Sequence, residues 1–120
     1  RVCGDNAKLG ATEILAGLVP GGGGCGRLAR AVGASRAKEM AFSGRFVGAE
    51  EAFTLGLVNE LVAPDHVFDA ALKWSARLTG SPAAALAGAK ALIDGTVAGD
   101  LDEDDQVRCY GKVFRAGGAG

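Results

Sequence analysis

Histidine is almost absent from this sequence, cysteine is sparse, and no run of basic residues occurs. The single histidine, His66, would have to carry a histidine-based metal centre or a Ser-His-Asp triad alone. It reads instead as a surface residue beside Asp65, and neither Ser43 nor Ser75 has the context of a nucleophile elbow. Three cysteines, Cys3, Cys25 and Cys109, are an odd number with no C-x-x-C spacing. They argue against a disulfide scaffold and against zinc, and for a reducing compartment, the cytoplasm. Cys25 abuts a glycine run, where a following helix would lower a thiol pKa; the plainer reading is a small side chain. Thirteen Lys and Arg against fourteen Asp and Glu give a net charge of −1, which argues against a partner bound through phosphates, so no nucleic acid is expected. No run of about eighteen apolar residues exists, and no membrane partner is expected. The acidic run Asp100–Asp105 lacks the ligand order of a calcium loop and reads as a solvated helix start; no metal site is expected.

What is present is globular. The 120 residues are 48% hydrophobic and 22% charged, enough for at most one domain. Twenty glycines make about one residue in six, against a usual ~7%, and imply tight turns and close backbone approaches. The chain opens at Arg1, in what reads as a strand end, without an initiator methionine. It therefore reads as a piece of a longer protein.

Helical spacing governs most of the chain. Leu28, Ala31 and Val32 share a face that Gly33 closes. Ser35 is the expected cap of a second helix, with Ala37, Met40 and Ala41 on one face and Gly44 ending it. Gly48-Ala49-Glu50-Glu51 opens a third, with acids where the helix dipole favours them. Leu57–Val62 reads as a short strand stopped by Pro64. Asp65 is the expected cap of the longest helix, with Phe68, Ala71, Leu72, Ser75 and Leu78 as its inner face. Ser81 and Pro82 start a fifth helix that runs to Gly95. A sixth follows the acidic run, with Val107, Tyr110 and Phe114 facing one way. The expectation is six helices and one or two strands, whose backbone partners lie outside this chain.

Two sites could carry chemistry. Glu13 stands between Gly10-Ala11-Thr12 and the apolar Ile14–Val19. If buried there, its carboxylate is desolvated, its pKa rises and it can move protons near neutral pH. The alternative is an acid in a first helical turn, capped by Thr12 and facing water. Gly21, Gly23 and Gly26 satisfy G-x-G-x-x-G before a helix, the pattern of a dinucleotide site, although the segment ending in Pro20 is no clean strand.

The order of these pieces resembles the enoyl-CoA hydratase/isomerase (crotonase) family. Asn6–Gly24, with Gly10, Glu13, Gly17, Pro20 and the glycine run, is similar to the family's second signature. Arg27-Leu28, Arg30, Val32-Gly33, then Ser43-Gly44, Glu51-Ala52 and Gly56-Leu57-Val58-Asn59 follow in the family's order. The resemblance implies an α/β, crotonase-like β-β-α spiral, represented by its last turns plus a helical C-terminal part. It implies a division into residues 1–62, the end of the spiral core with the glutamate loop, and 63–120, a helical oligomerisation region. By the same resemblance Glu13 is the catalytic residue, and Ala11, Thr12, Ala16, Gly21 and Gly22 line the pocket for an acyl-CoA thioester. A second glutamate and two oxyanion-binding N–H groups belong to a segment before Arg1. The implied activity is syn hydration of trans-2-enoyl-CoA thioesters in acyl-CoA metabolism. The alternatives are double-bond isomerisation or a non-catalytic assembly subunit. Homotrimers or dimers of trimers are implied, and no cofactor, since coenzyme A is part of the substrate. Thr12 departs from the pattern, standing where the family carries proline.

Overall fold

The computed structural model describes residues 1–116. They divide into two compact units, Arg1–Leu72 and the residues from Lys73 on.

Four three-residue strands lie in the first unit. β1 (Val2–Gly4) pairs in parallel with β4 (Glu60–Val62), in the register Val2 to Glu60 and Gly4 to Val62. β2 (Lys8–Gly10) pairs antiparallel with β3 (Phe46–Gly48), with Leu9 opposite Val47. The expectation that the strands would find partners only outside the chain is therefore corrected. Each pairing joins segments far apart in sequence, so no local pattern announces it.

Between the strands run α1 (Gly24–Val32), α2 (Ala34–Ser43) and α3 (Ala49–Thr54). Gly33 alone joins α1 to α2; its φ of +83° is open to glycine, and its N–H closes α1 on the Ala29 carbonyl. Gly33, and not Ser35, is the residue before α2, so the expected serine cap falls inside the helix. Gly44 ends α2 as expected, in the left-handed conformation. Met40 of α2, Val47 of β3, Ala52 of α3 and Val58 form the buried core, with Cys3, Leu9, Leu28, Leu55, Leu57 and Leu61 packed around it.

A 3-10 turn over Pro64–His66 precedes α4 (Val67–Thr79), and His66 is exposed. Only Ala70 of α4 is buried. The expected inner face is open: Phe68 is 72% and Leu72 53% exposed. Nor is α4 the longest helix. That is α5 (Ala83–Ala98), which runs three residues past Gly95 and ends at Gly99, in the left-handed conformation. α6 (Glu103–Arg115) starts on a reciprocal cap, in which the Asp102 carboxylate accepts from the Asp105 N–H (2.8 Å) and Asp105 accepts from the Asp102 N–H (3.2 Å). The acidic run thus begins a helix. α5 and α6 meet antiparallel: a Cβ on Gly88 would strike Val113, and one on Gly95 would strike Leu101. No helix among the described residues is long and apolar enough to cross a membrane.

Candidate active site

Glu13 opens a single 3-10 turn, Glu13–Ala16. The turn closes on its own backbone: Leu15 N–H donates to the Thr12 carbonyl (3.0 Å), Gly17 N–H to Ile14 (2.9 Å) and Leu18 N–H to Glu13 (3.0 Å). Gly17, at φ +70°, reverses the chain after one turn. Thr12 precedes the turn but its hydroxyl makes no cap hydrogen bond.

Beside this turn the first unit holds a concavity of about 330 Å³. Its lining is largely apolar, with Leu9, Leu28, Ala31, Met40 and Leu57, and it includes Glu13 and Ala11 together with the guanidinium-bearing Arg1 and Arg27. Of the expected site residues, the structure brings Glu13 and Ala11 to this groove. Ala16, at the end of the 3-10 turn, and Thr12, Gly21 and Gly22 beside it do not line it. Arg27 Nη1 donates to the Gly22 carbonyl (2.7 Å) and so ties the glycine run to the first turn of α1.

The dry environment that the apolar neighbours of Glu13 led one to expect is not supplied by this chain. Glu13 is exposed, and the turn buries none of its residues. Leu15, Leu18 and Val19 are 73%, 62% and 76% exposed, so they shield nothing. The dinucleotide pattern lacks its setting as well. Gly23 precedes α1 directly, and a 3-10 turn and coil, not a strand, lead into it. Among the described residues no group of three or more His, Cys, Asp and Glu is arranged to hold a metal.

One charged cluster in this unit escaped sequence reasoning. Arg45 donates from Nε and Nη2 to both oxygens of Glu39 (2.6 and 2.8 Å), and from Nη1 and Nη2 to both of Glu51 (3.0 and 2.7 Å). The Arg45 hydrogen bonds hold both carboxyls below the ordinary glutamate value and push the guanidinium pKa up. The residues follow one another at six-position intervals, on α2, the loop after it and α3, a spacing with no helical or strand meaning.

The architecture is the crotonase fold, here helix-dominated. The chain belongs to the enoyl-CoA hydratase/isomerase family, whose sequence model matches residues 1–115. It is 53% identical to a probable enoyl-CoA hydratase of Mycobacterium avium over 124 aligned positions, which cover all of this chain and 48% of the relative. It is 34% identical to a crotonyl-CoA hydratase of Syntrophomonas wolfei over 85% of this chain and 39% of that protein. The chain thus spans about half the length of the curated relatives it matches. Among solved structures it superposes on an enoyl-CoA hydratase of Mycobacterium marinum with a TM-score of 0.83, at 31% identity, over 96% of this chain and 45% of that one. A Thermobifida fusca protein solved in complex with CoA gives a TM-score of 0.85 at 34% identity, over 97% of this chain and 44% of that one.

Proposed function

We propose that the whole protein is an enoyl-CoA hydratase that adds water across the double bond of a trans-2-enoyl-CoA thioester, syn, with Glu13 as a general acid/base. The observation that carries this reading is the place of Glu13: the one carboxylate of a largely apolar groove that also holds Arg1 and Arg27, mounted on a backbone-closed turn. An acyl chain has leucine, alanine and methionine side chains to lie against, and Glu13 is the group there that can exchange a proton. In the forward direction hydroxide character develops at Cβ as a water loses its proton to a carboxylate. The proton that completes the addition is delivered to Cα, through an enolate-like thioester. Stabilising that oxygen requires backbone N–H donors, which the reading assigns, with a second glutamate, to protein preceding Arg1. That segment would also cover Ile14, Leu15, Leu18 and Val19 and exclude water from Glu13.

Ala11, Thr12, Ala16, Gly21 and Gly22 are proposed to border the bound thioester. Division at residues 62 and 63 assigns chemistry to the first part and assembly to the second, with α4 and α6 meeting other copies in a trimer or a dimer of trimers. Three free cysteines are in keeping with a reducing compartment, and the cytoplasm is the proposed location.

The test is a spectroscopic hydration assay of the full-length protein with crotonyl-CoA, following loss of the conjugated thioester. Rapid hydration, lost in Glu13→Gln, supports the reading. Hydration at the wild-type rate in that variant refutes it, and conversion of a 3-enoyl thioester without hydration moves the protein to the isomerases.

A further inference from the structure

The end of α2 and the turn that carries Glu13 share one tightly filled contact. Gly44 is buried, at φ +61° and ψ 18°, and its N–H donates to the carbonyl of the core residue Met40 (3.0 Å). A Cβ at Gly44 would lie 2.8 Å from Leu15 Cγ, 2.9 Å from Ile14 Cγ2 and 3.0 Å from Leu15 Cδ2. Of the seven positive-φ glycines among the described residues, Gly44 is the one whose added Cβ would come within 3.0 Å of a neighbour. Gly17, Gly22, Gly33 and Gly99 face open space. Conformation is the one reason for glycine at those four positions; at Gly44 it is joined by a second, since a neighbour occupies the space of the missing side chain.

We infer that Gly44 is a positioning residue for Glu13: lacking a Cβ, it seats Ile14 and Leu15 directly on the end of α2 and so fixes the turn that Glu13 opens. This rests on the proposed role of Glu13. The direction in which a clash would be relieved follows from what surrounds the corner. Arg45, the next residue, is bound to Glu39 of α2 and Glu51 of α3, and its N–H donates to Ser43 Oγ (3.3 Å). Met40 lies in the core, 1% exposed. The corner is held on every side, whereas the turn buries no residue. Leu15 Cγ and Ile14 Cγ2 each sit on Cβ, so side-chain motion clears them only if both residues leave their χ1 rotamers together. A small shift of the turn's backbone relieves both contacts at once, and Glu13 shifts with it.

The experiment compares Gly44→Ala in the full-length enzyme with the same substitution in an Ile14→Ala/Leu15→Ala background, with Glu13→Gln alongside. Gly44→Ala is expected to lower kcat roughly 10- to 100-fold, the cost of misplacing a catalytic group by up to about 1 Å, with KM for crotonyl-CoA changed less than about twofold. In the trimmed background its effect on kcat is expected to shrink to within about twofold, because the atoms it would strike are gone. The fall in Tm is expected to persist in both backgrounds, since alanine at φ +61° is strained whatever its neighbours. A role in stability alone gives the other pattern, in which kcat and Tm fall together regardless of background. Undiminished kcat in Gly44→Ala, or an equal kcat loss in both backgrounds, with Glu13→Gln inactive, overturns the inference and leaves the hydratase reading standing. A fully active Glu13→Gln overturns that reading, and with it the reason to position the turn.

Discussion

The two units are built from similar residues and hold themselves together differently. Arg1–Leu72 closes a small core, Met40, Val47, Ala52 and Val58, whose members come from a helix, a strand, a second helix and a loop. Among the described residues from Lys73 on, the one that is buried is Gly88, while Ile93, Val107, Tyr110 and Phe114 are each at least 60% exposed. Apolar content is therefore not what separates them; long-range pairing is. The strand pairs of the first unit enclose side chains from several directions. Two helices in contact bury only the line along which they touch, where Gly88 lets α5 approach Val113 of α6 closely. The second unit rests on local order, an alanine-rich helix and a well-capped one, and presents its large side chains outward.

That contrast can be broken or sharpened by experiment. The largest effect belongs to the first unit. Glu13→Gln is expected to lower kcat for crotonyl-CoA hydration at least ~100-fold, whereas Tyr110→Ala, far along α6 in sequence, should act on assembly and leave kcat per assembled subunit close to wild type. Steady-state kinetics with sedimentation of the same samples checks both. Next comes the core: Met40→Ala should cost about 2–5 kcal/mol in urea unfolding, as large-to-small changes at closed sites do. An equally large loss from Tyr110→Ala in monomeric protein would show that the second unit has a core of its own. Smaller still, Asp102→Ala removes a helix cap and should cost about 1 kcal/mol. Its effect should show as faster amide exchange in α6 with α2 unchanged.

The last difference is in pH. Glu39 and Glu51 are held below their ordinary value by Arg45, and Asp105 by Arg108 and by the Asp102 N–H. A carboxyl whose folded pKa is depressed contributes stability that is complete above its unfolded value and lost as pH falls through the folded one. Stability should therefore decline below the ordinary glutamate range. Arg45→Met should flatten that decline for the first unit, and Asp105→Asn for the second. Because all these groups are solvent-accessible, added salt should flatten both. Acid titrations of the three proteins at low and high salt give the comparison.

Features with a local physical cause were legible in the sequence. Six helices were expected and the described residues form six α-helices; Gly44, in the left-handed conformation, stops α2, and Gly48 opens α3 before two acids. Glu13 and Ala11 were singled out by the family resemblance, not by any spacing, and both border the groove of the first unit. What remained hidden depends on distant segments. The pairing of Val2 with Glu60, the Arg45 clamp and the filled space beside Gly44 are set by packing, which no period in the sequence records. The inner face expected for α4 illustrates the opposite case: helical spacing groups Phe68, Leu72 and Leu78 on one stripe, but that stripe lies uncovered and the buried residue of the helix is Ala70, off it.

The parallel ladder between β1 and β4 has a consequence for biosynthesis. Gly4 meets Val62, and Asp5 N–H donates to the Val62 carbonyl (2.8 Å), so this edge of β1 has no β4 to pair with until the strand nearly sixty positions later has been made. On the ribosome, α1 and α2 can form as they emerge, since their hydrogen bonds are local. The ladder, however, waits for Val62 to clear the exit tunnel. A nascent chain stalled before that point leaves an apolar strand unpaired, and it is there that holding by a chaperone would matter most.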